Sequence, residues 1–255
     1  MGNPAAGGGR WVDVAPERLA AWAGNFGERH GQLAAEGAPD VLTLTAADGS
    51  VAECHVPFPP MTSLAPASGE DVSAGVLIAG VAAHAAAPRT VAVLLVRLGG
   101  YAAGVFAGSP PELLASKTGR RPVHGRSAAG GWSQHRFARR REKQAAAALA
   151  AAAAAAVRVF APYQGKLDAV VLGGDRRTVA GLRDDPRVRP YLTLATDRFL
   201  TVPDPRLAIL QDTPRLFTAI RIRLAGAPEL APQVSPEHHS GLRRGVHTGP
   251  ASPGL

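Results

Sequence analysis

Apolar residues recur along this chain with two different periods, and the switches between them mark out its elements. Residues 11–14 alternate as a short strand. Pro16, followed by Leu19, Trp22, Ala23 and Phe26, gives the stripe of a helix that should stop near Gly27. Residues 41–45 and 51–56 are strand-like and flank a turn in which Asp48-Gly49 supplies hairpin chemistry. A proline-rich loop, 57–66, comes next. Asp71 can cap a helix running through Ala87, with Pro88 ending it, and the apolar runs 90–98 and 101–107 meet at Gly99-Gly100 as a second, more buried hairpin.

Beyond Pro110-Pro111 the chain turns polar, and residues 113–118 and 121–124 have the pattern of an exposed ribbon. From Ser133 to Phe160 there is neither Gly nor Pro, and residues 145–156 are almost all alanine, so a helix about 40 Å long is expected. Its small side chains suit close packing on a sheet. Residues 168–172 should form a buried strand, Gly173-Gly174-Asp175 a tight turn into a helix over 176–182, and 192–195 and 216–224 have strand character. Strands alternating with helices after antiparallel hairpins predict an α/β fold with a mixed β-sheet packed with helices. Residues 11–226 are expected to form one domain between disordered ends, 1–10 and 227–255.

Composition sharpens this picture. Hydrophobic residues are 46% of the 255 but aromatics only 5%, so the core should be sizeable and aliphatic. Residues 117–143 hold nine of the 28 Lys and Arg and one of the 20 acids, so the nineteen of each sign left elsewhere cancel and the net +8 belongs to this stretch. Charge gathered this way marks a surface for a polyanion, with nucleic acid the leading partner. A lone cysteine, Cys54, allows no internal disulfide and no cysteine-rich metal motif, which suits the cytoplasm. The alanine run reads as too short and too weakly apolar to span a bilayer, and the N-terminus has neither a signal peptide nor a myristoylation motif, so no membrane partner is expected.

The chemistry is expected where the ribbon meets the long helix. There the sequence runs His124-Gly125-Arg126, then Ser127-Ala128-Ala129, then Gly130-Gly131-Trp132-Ser133-Gln134-His135-Arg136-Phe137-Ala138-Arg139-Arg140-Arg141. Arg136, Arg140 and Lys143 share one helical face, flanked by Arg139 and Arg141, so adjacent phosphates can be met together. Trp132 is either a base-stacking tip or a staple onto its own helix. His84 is expected to be packed, and neither Cys54-His55 nor His238-His239 has metal-ligand surroundings. No Walker loop, zinc-protease helix or serine-esterase elbow is present.

These residues resemble the catalytic middle domain of eukaryotic and archaeal peptide-chain release factors, whose hallmark is His-Gly-Arg-Gly-Gly-Gln-Ser followed by Arg-Phe-Ala-Arg. Most similar are the Vms-like release factors of the actinobacterial type, which carry Gly-Gly-Trp-Ser-Gln. The resemblance implies a release-factor middle-domain fold with an RNase H-like layer, and a peptidyl-tRNA hydrolase acting on the large ribosomal subunit without metal or cofactor. On this resemblance Gln134, with Gly130 and Gly131, is catalytic. Arg120, Arg121, His124, Arg126, Trp132, Ser133, His135, Arg136, Arg139, Arg140, Arg141 and Lys143 then bind ribosomal RNA or tRNA. Trp132 stands where the release factors have glutamine, so the catalytic role moves two residues on. The alternative is a noncatalytic module that binds ribosomal RNA. A nuclease would need clustered carboxylates, and the loop and helix offer only Glu142.

Overall fold

A computed structural model describes residues 3–4, 9–61, 72–97, 99–120 and 133–225. The strands are β1 (Asn3–Pro4), β2 (Arg10–Val14), β3 (Leu33–Gly37), β4 (Val41–Ala46), β5 (Val51–His55), β6 (Val91–Arg97), β7 (Gly100–Ala107), β8 (Glu112–Arg120), β9 (Ala169–Gly174), β10 (Ala195–Leu200) and β11 (Ile220–Ala225). The helices are α1 (Leu19–His30), α2 (Ala74–Ala86), α3 (Ser133–Phe160), α4 (Arg176–Ala180), α5 (Arg189–Leu192), α6 (Leu207–Gln211) and α7 (Pro214–Phe217).

Strands β1-β2-β11-β5-β4-β3 form one sheet, antiparallel throughout. Its inner face carries Val14, Leu42, Leu44, Ala52, Cys54, Ile220 and Ile222, packed against Leu19, Ala23 and Phe26 of α1 and Leu77, Ile78 and Val81 of α2. The alternation of buried and part-exposed positions in β4 and β5 is that of strands covered on one side. Burial among these side chains pushes the Cys54 thiol up to about 12, so it is no nucleophile at neutral pH.

The second sheet, β10-β9-β6-β7-β8, is mixed: β6, β9 and β10 run parallel, and β7 and β8 return antiparallel. Six successive residues of β6, Val91 to Val96, are buried, because helices cover both faces. On one face lies α3, whose Ala152, Ala153 and Ala156 are fully buried beside Ala103 and Val105, joined by Val179 and Leu182 from the α4 region. On the other lie Leu210 and Phe217 of α6 and α7. Alanine at the α3 contact lets the helix backbone come close to the sheet. The mixed sheet packed with helices is therefore present as expected, and the antiparallel sheet stands in addition to it.

Several boundaries differ from the sequence expectation. Helix α1 passes Gly27 and ends at Gly31, whose φ of 95° and N–H bond to the Gly27 carbonyl make it the real stop. Asp71 lies outside the described residues, and Ser73 stands at the cap of α2. Strand β3 was not expected, because Leu-Ala-Ala-Glu-Gly lacks branched residues, and it is held by its ladder to β4. Residues 189–192 are helical and the strand begins at Ala195, while Pro214 starts a short helix before β11. Residues 113–118 belong to an edge strand of the mixed sheet rather than to a separate ribbon, and residues 121–124 lie outside the described residues. The segment Glu142–Tyr163 is long and apolar enough to cross a membrane by length and composition, because Val157, Val159 and Phe160 extend the alanine run. Its inward residues pack on the mixed sheet.

Two sets of contacts, through Arg198 and Phe217, tie the two sheets together. Arg198 of β10 donates to the Ala219 carbonyl and to Asp13 of β2. Phe217 meets the rings of both Phe58 and Phe106 edge-on, with centroids 5.9 and 5.8 Å away. His84 of α2 sets Nε2 3.1 Å from the carbonyls of Pro57 and Phe58, in keeping with the packed role expected for it.

Candidate nucleic-acid interface

Strand β8 and helix α3 bracket the stretch that carries the net charge. The ladder of β8 on β7 runs from Glu112 to Arg120, so the chain leaves the sheet at a fixed point. It re-enters as helix at Ser133 and stays helical for 28 residues. Gln134 is thus in the first helical turn, and Ser133, His135, Arg136, Arg139, Arg140 and Arg141 follow the same helical backbone. Arg121, His124, Arg126, Gly130, Gly131 and Trp132 lie outside the described residues. The second half of α3 is anchored by burial against the mixed sheet, where it packs on β6, β7 and β8.

Two of the expected RNA-binding side chains lie at the edges of this stretch. Lys143 is exposed on α3. Arg120 is exposed at the end of β8 and pairs with Asp204 at 3.3 Å, a surface contact that anchors the strand end more than it spends the charge.

A cavity of about 290 Å³ opens between α3 and the β6–β7 turn. Its walls are Val96, Tyr101, Ala145, Ala148 and Leu149, with Arg97, Arg177 and Thr178 among its polar lining and no acidic residue among the described residues that line it. Gly181 lies against Leu149: a Cβ there would fall 2.9 Å from Leu149 Cδ2. Arg97 donates to the Val202 carbonyl at 2.8 Å, whereas Arg177 is exposed and makes no side-chain hydrogen bond or ion pair among the described residues. The Thr178 hydroxyl and N–H both bond Asp175, which caps α4, and hold its carboxyl below the usual range, the hydroxyl contributing most. Sequence reasoning missed Arg97, Tyr101 and Arg177. The available signals were an arginine beside the Gly99-Gly100 turn and the pair Arg176-Arg177 after Gly173-Gly174-Asp175.

One other cluster has suggestive composition but the wrong geometry. Asp48 Oδ2 and Ser50 Oγ lie 2.8 and 3.1 Å from the same ring nitrogen, Nδ1 of His30. A serine nucleophile needs its hydroxyl on one imidazole nitrogen and the carboxylate on the other. This group instead locks the β4–β5 turn, and the Ser50 N–H, followed by His30, lowers the Asp48 pKa. Among the described residues, no three of His, Cys, Asp or Glu come together to hold a metal.

The described structure is thus a mixed α/β sheet that holds a long helix by its alanine half, with a second, antiparallel sheet beside it. The model of the actinobacterial and chloroflexi VLRF1 release factor matches residues 89–223, and the chain belongs to that release-factor family. The match takes in the whole mixed sheet and most of β11, and leaves β1–β5, α1 and α2 outside it. No curated protein matches the chain. Among solved structures it is similar to the archaeal translation termination factor aRF1, at 12% identity and a TM-score of 0.39 over 68% of this chain and 51% of that one. It is also similar to the Vms1 mitochondrial localization core, at 11% identity and a TM-score of 0.34 over 74% and 77%. The chain therefore spans about half the length of the archaeal factor.

Proposed function

We propose that this protein is a peptidyl-tRNA hydrolase that acts in the cytoplasm on the large ribosomal subunit, releasing nascent chains from stalled complexes. The observation that carries this reading is the position of Gln134 in the first turn of α3, three residues after Gly131, in a chain of the release-factor family. An amide is no base at neutral pH. It can accept a hydrogen bond from an attacking water and donate one to the oxyanion that develops at the ester, so its contribution is positioning and charge stabilisation. The glycines allow close backbone approach to RNA. The cations of residues 117–143 bind phosphates of ribosomal RNA and tRNA and fix the helix in register, without reading bases.

The test is peptide release from purified large subunits that carry peptidyl-tRNA, beside Gln134→Ala. Loss of one well-placed donor costs about 2.7–4 kcal/mol of barrier, so release should slow by about 10²–10³-fold while subunit binding stays within about twofold. Release at the wild-type rate by Gln134→Ala overturns the catalytic role. Binding by both proteins with release by neither leaves a noncatalytic RNA-binding module.

A further inference from the structure

We propose that the cavity between α3 and the β6–β7 turn is a binding site for a nucleoside monophosphate unit, with the base against Tyr101, Ala145, Ala148 and Leu149 and the phosphate on Arg177. Its place in the fold favours a ligand. Val96 and Gly174 are register partners at the carboxyl ends of the parallel strands β6 and β9, the edge at which open α/β sheets bind small molecules. Its size sets the class. At about 290 Å³ it lies at the lower limit of ligand pockets, enough for a base with its sugar and too small for a folded peptide segment.

The chemistry narrows the class further. Arg177 is exposed and has no competing partner among the described residues, and the described lining holds no acid, so an anion is favoured there; Arg97, on the alternate face of β6, is held by the Val202 carbonyl. The apolar walls exclude a bare phosphate as the whole ligand. Tyr101 supplies an aromatic ring on the α3 side of the sheet, where it packs with Leu149 and Ala115 around the same core cluster, so a flat heterocycle has a stacking partner.

The same helix joins this cavity to the proposed RNA surface. Ala145 lies two residues beyond Lys143, and eleven residues beyond Gln134, about 16 Å along the axis of α3. An RNA strand on the basic turns can therefore drop one unstacked nucleotide into the cavity, and a free nucleotide has the same chemistry. The RNA source rests on the proposed function, whereas the free-nucleotide source stands without it.

The test titrates the full chain with AMP, with UMP and with a single-stranded hexa-uridylate, following tryptophan fluorescence and calorimetric heat, beside Ala148→Met and Arg177→Ala. Methionine keeps the helix and fills the cavity, Arg177 is exposed, and thermal melts check that both variants fold. Saturable binding of AMP or UMP that falls at least about tenfold in both variants is the expected result. The hexanucleotide arm separates the sources: a loss in Ala148→Met there assigns the site to RNA, and a loss confined to the mononucleotides assigns it to a free nucleotide. Saturable mononucleotide binding that is equal in wild type and Ala148→Met, no saturation by any of the three ligands, or stronger binding of decanoate than of AMP overturns the proposal. Release by Gln134→Ala is read in a separate assay, so failure of the cavity and failure of the glutamine are distinguishable.

Discussion

The ring of Tyr101 occupies the space that a side chain on Gly119 would need. The two are register partners on β7 and β8, and a Cβ at 119 would collide with the ring. Glycine is thus required at the last-but-one residue of the strand that leads to the charged segment, and the requirement comes from packing rather than from a positive φ. Gly119→Ala should displace Tyr101 and destabilise the protein by about 1–3 kcal/mol, as overpacking does. In the double variant Gly119→Ala/Tyr101→Ala the clash disappears, so urea unfolding should show a loss smaller than the sum of the singles. Strict additivity would mean that Tyr101 does not occupy this space.

Arg198 links the two sheets through one buried guanidinium. Burial lowers its pKa to about 10, yet it remains charged at neutral pH, donating to the Ala219 carbonyl and to Asp13. Hydrogen bonds to a charged donor are worth about 1.5–3 kcal/mol each, and Asp13 is exposed enough to be rehydrated. Arg198→Met should therefore cost about 1.5–3 kcal/mol, most of it from the orphaned carbonyl. Proteolysis between β10 and β11 should accelerate in parallel, because the contact anchors that connection. An unchanged cleavage rate would assign Arg198 no linking role.

Asp175 should give the fold an acid-sensitive step. Its carboxyl is held below the ordinary 3.8, first by the Thr178 hydroxyl and then by the Thr178 N–H. A group whose folded pKa is depressed contributes stability that is fully present above the unfolded value and is lost as pH falls through the folded one. Wild type should thus exceed Asp175→Asn in urea midpoint at pH 6, and the gap should close as pH falls from about 4 toward 2. A gap of constant size across that window would mean that the cap does not titrate.

Much of this fold was legible in the sequence because its signals are local. The limits of α3 are those of the one long stretch without Gly or Pro, and the β4–β5 and β6–β7 hairpins announce themselves at Asp48-Gly49 and Gly99-Gly100. What was hidden depends on distant pairing. Strand β3 has no strand-like residues of its own and exists through β4, and β11, the last strand, inserts between β2 and β5, some 165 residues and more from either. The charge count pointed to residues 117–143 but could not find Arg177, which comes to the cavity beside α3 only once β6 and β9 lie side by side.

The cationic stretch should reveal itself in the salt dependence of RNA binding. Residues 136–143 hold five of its nine Lys and Arg, at the end of α3 that precedes the helix's buried alanines. If six to eight cations of the stretch displace counterions from phosphates, the log–log slope of affinity against salt should lie at about −4 to −7. Replacing Arg139, Arg140 and Arg141 together by alanine should flatten it by about 2–3, with little effect on stability because alanine is the better helix former. Measuring affinity for large subunits between about 50 and 300 mM salt, roughly a sixfold range over which screening changes steeply, decides the matter. A slope near −1 in wild type would mean that the charge concentrated in this element is solvated surface and does not carry phosphate binding.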